Sequence, residues 1–137
     1  MSTPPMVAKW QGMGPQFQSL LRIVAAGMYM LHGTMKLFAF PASVMGDGGG
    51  TVALMSQFGL GGVIETVGGA LLLVGLFTRP VAFLAAGELA VVYWQFHFPK
   101  DPWPVLSGGE LPALYCFVFL FISAVGPGPW SLDAKRR

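Results

Sequence analysis

The chain of 137 residues is 54% hydrophobic and only 10% charged, with a mean hydropathy of +0.63, whereas a soluble globular domain carries roughly 25% Asp, Glu, Lys and Arg. A domain of this size has too much surface per unit volume to enclose that apolar content in one core, so much of its surface must face a lipid bilayer instead of water. A net charge of +2 excludes the basic stripe that nucleic-acid binding needs, and the lone cysteine, Cys116, excludes an intramolecular disulfide, a thiolate metal cage and a C-x-x-C redox pair.

In chain order, residues 1–19 hold Pro4, Pro5, Gly12, Gly14 and Pro15 and lack the apolar core and small-residue cleavage site of a signal peptide, so this segment is expected to be retained. Four apolar stretches follow: Leu20–Phe40, Gly59–Phe77, Val81–Phe98 and Leu111–Val125. At about 1.5 Å per residue the first three span roughly 27 to 32 Å, enough to cross a hydrocarbon core of about 30 Å. The fourth, at about 22 Å, has to start earlier, near Ser107, extend toward Gly126, or thin the bilayer locally. Between the first and second stretches, Pro41–Phe58 centres on the flexible run Met45-Gly46-Asp47-Gly48-Gly49-Gly50. Thr78-Arg79-Pro80 is the whole predicted connection between the second and third, which makes them an antiparallel hairpin with Pro80 in the new helix's first turn. Pro99–Pro104 is a proline-rich loop with an interfacial Trp103.

The expected architecture is all-α: a four-helix transmembrane bundle over residues 20–126, between an N-terminal segment (1–19) and a C-terminal tail (127–137). Lys9, Arg22, Arg79, Lys135, Arg136 and Arg137 fall on one side, against Lys36 and Lys100 on the other. The positive-inside rule then places both termini in the cytoplasm.

Ionisable groups at membrane depth cost several kcal/mol or more unless they face protein or a wet cavity, on the order of magnitude set by desolvation, so each is a candidate site residue. On the first helix Arg22, Ala25, Tyr29, His32, Gly33 and Lys36 share a stripe of about 100°. On the second, Glu65 shares a face with Gly61, Gly62, Gly68 and Gly69, whose missing side chains suit close helix packing. The third puts Glu88 and Gln95 a heptad apart. Counting turns from the cytoplasmic ends places Tyr29 and Glu88 at about 12 to 14 Å, His32 and Glu65 at about 18 Å, and Lys36 and Gln95 at about 22 to 24 Å. Glu65 is therefore expected to pair with His32 or Lys36, and Glu88 to contact Tyr29 or Arg22. Such pairs can equally serve only to fix helix register. Arg22, within one turn of the interface, is expected to snorkel, and His32, with an ordinary pKa of about 6.5, is the best proton-handling group. His97 defaults to an interfacial role.

Haem ligation by His32 and His97 is disfavoured, because two histidines on different helices come with no distinctive motif. No metal is expected, since the Glu-x-x-His spacing of di-iron bundles is absent. Gly46–Gly50 lacks the Lys-Ser/Thr of a phosphate loop, and Gly59-Leu60-Gly61 lacks a dinucleotide fingerprint.

Three motifs resemble those of DoxX family membrane proteins. His32-Gly33-Thr34-Met35-Lys36-Leu37 is similar to the segment that ends that family's first helix, and Glu65-Thr66-Val67-Gly68-Gly69-Ala70-Leu71-Leu72-Leu73-Val74-Gly75-Leu76-Phe77-Thr78-Arg79 to its second-helix signature. Gly126-Pro127-Gly128-Pro129-Trp130-Ser131-Leu132-Asp133 resembles its C-terminal ending, and Gly108-Gly109-Glu110 also fits. The resemblance implies a multi-pass protein of the bacterial cytoplasmic membrane, linked to quinone-dependent redox systems and oxidative stress, with His32, Lys36 and Glu65 the motif-matching residues of a shared site. The expected function is a small subunit that binds a quinone-like ligand among Tyr29, His32, Lys36, Glu65, Glu88 and Gln95, next to a redox partner that holds the electron-transfer cofactor. Gly61, Gly68, Gly69 and Arg22 are expected to pack the helices. A non-enzymatic scaffold is the second expectation. A proton-coupled solute carrier is the third, which four helices without an inverted repeat would support only as a homo-oligomer.

Overall fold

The computed structural model describes residues 1–136; Arg137, counted above among the basic residues of the tail, lies outside them. The described residues are all-helical, with no strand among them. In order come α1 (Pro5–Gln11), α2 (Gly14–Phe38), α3 (Gln57–Val74), α4 (Thr78–Val92) continued by a π-helical turn at Tyr93–His97, α5 (Pro104–Ser107), α6 (Glu110–Val125) and α7 (Leu132–Lys135). α2 packs along α3 and α4 along α6, while thinner seams join α3 to α4 and α2 to α6. By length and composition α3 can cross a membrane; α6 is apolar but shorter.

The helix ends differ from the apolar stretches for local reasons. α2 begins at Gly14, before the first apolar residues, because Pro15 suits a first turn. Ser56 caps α3 by accepting the Gly59 N–H at 3.1 Å. The α3–α4 connection is Gly75–Phe77, not Thr78–Pro80. Gly75 takes a left-handed conformation (φ 72°) that ends α3, and the Leu76 N–H turns back to the Leu71 carbonyl at 2.9 Å. Thr78-Arg79-Pro80 instead forms the first turn of α4. The fourth apolar stretch is preceded by the separate short helix α5, and α6 itself stops at Gly126.

Burial departs from the arrangement of a water-soluble protein. Arg22, Ser19, Glu65 and Thr78 are buried, whereas Val67, Phe83, Leu114 and Phe117 point outward. The centre is packed by small and aromatic side chains, among them Ala26, Tyr29, Leu72, Ala82, Phe119 and Ile122. α2 and α3 approach through glycine: a Cβ on Gly69 would lie 2.8 Å from the Met30 Cα, closer than any side chain fits.

A C-terminal clasp closes the structure. Gln18 donates to the Val125 and Gly126 carbonyls at 3.1 and 2.7 Å, and the Ser19 hydroxyl accepts the Trp130 N–H at 3.1 Å. Arg22 does not snorkel. It is fully buried, donating to the Pro127 carbonyl and, at 2.6 Å, to that of Trp130. The sequence places these acceptors more than a hundred residues away, beyond the reach of any local signal.

The clasp ends on Asp133, whose carboxylate accepts the Phe77 and Thr78 N–H groups at 2.9 Å each, so the first turn of α4 is capped by a residue remote in sequence. Partial burial raises the Asp133 pKa, but the Thr78 and Phe77 N–H groups and the Arg136 charge outweigh that and hold it below the ordinary aspartate value. A lowered folded-state pKa means that its contribution is complete above the unfolded value of about 4 and is lost as pH falls through the folded one. Asp133→Asn keeps one acceptor oxygen but removes the charge, and is expected to cost about 0.3–1 kcal/mol at neutral pH, the scale of an anion at a helix N-terminus. Thermal unfolding in detergent checks it: the gap between wild type and variant closes at acid pH, and a gap that persists there would refute the assignment.

Candidate functional site

Glu65 lies on the face of α3 that meets α2. Gly62 lets the two helices close up beside Lys36 and Leu37, where a Cβ would already press at 3.1 Å on both side chains. Across that contact Lys36 Nζ reaches both carboxylate oxygens of Glu65 at 2.8 Å, and Glu65 is only 3% exposed. Two short charge-assisted bonds to one buried carboxylate make this the strongest polar contact between the helices. From the other side α4 presents Glu88, whose Oε2 accepts the Tyr29 hydroxyl at 3.2 Å. The Glu65 and Glu88 carboxyl groups are thus neighbours. All of this converges on Gly61, where a Cβ would sit 3.5 Å from Glu88 Oε1 and 4.0 Å from Lys36 Nζ.

These groups line a cavity of about 1040 Å³, at the upper end of small-molecule sites. Its remaining wall is largely apolar, with Ile64, Leu89 and Phe96 among the lining side chains. α6 contributes Tyr115, which is 5% exposed and whose hydroxyl has no hydrogen-bond partner among the described residues. Its ring stacks on Phe119 at 5.9 Å and meets Tyr29 and His32 edge-on, each at 6.3 Å. A buried hydroxyl left without a partner costs about 1–3 kcal/mol, so this group is a polar defect in the packing behind the cavity wall.

Of the residues singled out from the sequence, Tyr29, His32, Lys36, Glu65 and Glu88 line this cavity together. His32 joins it without touching a carboxylate, since Lys36 takes Glu65. Gln95 stands apart: it exchanges hydrogen bonds with Gln57 at 2.6 and 3.1 Å and is exposed. The π-helical turn is the reason, because it breaks the heptad phase that placed Gln95 under Glu88 and brings Phe96 and His97 to the cavity instead. Gly61 is a cavity wall rather than a helix contact, Gly69 packs on Met30, and Gly68 faces Val81 of α4 at 3.6 Å. Arg22 belongs to the clasp. Sequence reasoning missed Tyr115; the available signal was a tyrosine in a largely apolar helix, where its hydroxyl needs a partner.

Compared with known proteins, residues 17–98 match a family model described as DoxX. The chain is 42% identical over 124 residues to an uncharacterized protein of Haemophilus influenzae, a match that covers 88% of this chain and 91% of that one. No solved structure matches the chain. The matched region holds Tyr29, His32, Lys36, Glu65 and Glu88, while Tyr115 and the clasp lie beyond it.

Proposed function

The chain belongs to the DoxX family, and from that premise we propose that it is a multi-pass protein of the bacterial inner membrane whose cavity binds a lipophilic, quinone-like ligand. In this reading α2, α3, α4 and α6 form a transmembrane bundle with both termini in the cytoplasm. A redox partner protein supplies the electron-transfer cofactor. The observation that carries the reading is a large, mostly apolar cavity with one polar region, where Lys36, Glu65, Tyr29 and Glu88 meet. A pure packing device would have no use for such a volume beside its ion pair.

The chemistry fits the ligand class. A quinone offers carbonyl acceptors and takes up protons when it is reduced. Lys36 directs two of its three N–H groups at Glu65, which leaves one donor at the edge of this space, while the Tyr29 hydroxyl is already given to Glu88. Two neighbouring carboxyl groups beside a lysine can pass a proton to or from a bound oxygen by general acid and base transfer. His32 lines the same wall and can serve that exchange.

Equilibrium binding of a decyl-tailed benzoquinone to the protein in lipid nanodiscs tests this reading. Wild type is expected to bind, Glu65→Gln to lose at least tenfold in affinity and His32→Ala severalfold. No binding in wild type, or equal binding in all three, would overturn it. Under the scaffold reading Glu65→Gln lowers thermal stability and partner co-purification with no ligand effect.

A further inference from the structure

We propose, building on that ligand reading, that the cavity opens sideways between α3 and α4, and that its occupant is a membrane-dissolved amphiphile whose head reaches Lys36 and Glu65 while its tail passes out through this opening. The cavity wall includes Leu60 and Ile64 of α3, and Phe83, Leu84, Gly87 and Val91 of α4. These fall at helical spacing on one face of each helix, so they form two facing edges. Leu60 is 50% exposed and Phe83 65%, and Leu84 and Val91 are also exposed. Side chains that line a cavity and are open to the outside mark its mouth. α3 and α4 touch less than α2 and α3 do, and the exposed lining side chains of these two helices place the opening between them.

The chemistry of the mouth selects the occupant. Its edges are hydrocarbon, and with the helices in a bilayer they face acyl chains. A polar solute arriving there would have to shed its water with no hydrogen-bonding group to replace it. An alkyl or isoprenoid chain passes with no such cost. At the far end the Lys36–Glu65 pair meets a polar head. The cavity is thus polar at one end and apolar at the other, as an amphiphile is.

Gly87 is where the opening can be narrowed without disturbing the fold. A Cβ there meets nothing within 4 Å. Gly87→Trp would put an indole across the gap, and Gly87→Leu a smaller plug. In nanodiscs the decyl-tailed benzoquinone and its tail-less counterpart are compared at equilibrium. Gly87→Trp is expected to weaken the tailed probe at least tenfold and leave the tail-less probe within twofold, with Gly87→Leu intermediate, Gly87→Ala unchanged, and unfolding temperatures close to wild type. Equal affinity for the tailed probe in wild type and Gly87→Trp would overturn the opening, as would equal losses for both probes. Glu65→Gln separates the two ideas: if it spares both probes, the ligand reading itself fails, whatever Gly87→Trp does.

Discussion

Replacing Lys36 by methionine is expected to lower the unfolding free energy by about 3–5 kcal/mol, because it removes one partner of a buried pair and leaves the Glu65 carboxylate in a low-dielectric interior with nothing to balance it. Glu65 is 3% exposed and takes both of its short contacts from the same ammonium group, so one substitution removes both. Lys36→Met with Glu65→Leu should recover most of the loss, since a buried ion pair contributes little over apolar side chains of similar volume. Thermal unfolding of the two single variants and the double variant in detergent measures the coupling. Losses below about 1 kcal/mol in both singles would mean that water reaches the carboxylate and that the pair is not the anchor of the site.

Gly33→Ala is expected to cost about 1–3 kcal/mol, the scale of an overpacked interior, and to weaken ligand binding as well. Its Cβ would lie 2.5 Å from the Thr66 nitrogen and 2.7 Å from the Gly62 carbonyl oxygen, both on the backbone of α3. Backbone cannot rotate aside as a side chain can, so α2 and α3 must part. The separation is greatest one turn from Lys36, which widens the distance to Glu65 and ties the stability loss to the ligand loss. Gly27→Ala in the same helix is the control: its Cβ would meet only the Leu73 side chain, at 3.9 Å. It is expected to be neutral or stabilising by about 0.4–1 kcal/mol, as glycine-to-alanine changes are where the backbone tolerates them. A Gly33→Ala protein as stable as Gly27→Ala would show that the helix contact is looser than described.

Much of this arrangement was legible in the sequence, and the limits follow from physics. The pairing of Glu65 with Lys36 and of Glu88 with Tyr29 was within reach, because a helix rises at a fixed rate and opposite groups on neighbouring helices meet only at depths that differ by no more than the reach of a side chain. The choice between His32 and Lys36 for Glu65 was left open, since depth alone does not say which helix face a glycine contact will bring closest. Gln95 was misplaced because the counting assumed one helical pitch through Tyr93–His97, and a π turn is set by packing against Gly109, where a Cβ would lie 2.8 Å from the Tyr93 ring. The α3–α4 turn was misread by three residues because proline was weighed above Gly75, although a left-handed cap is the firmer stop signal. Tyr115 escaped because its role depends on three other helices.

The clasp also bears on how the protein is made. Pro127 and Trp130 are synthesised after all four long helices, yet they hold the carbonyls that Arg22 of α2 donates to. Until the ribosome has passed them, the guanidinium has no resting place in the interior and must stay near lipid phosphates or water. Final seating of the first long helix therefore waits for late translation.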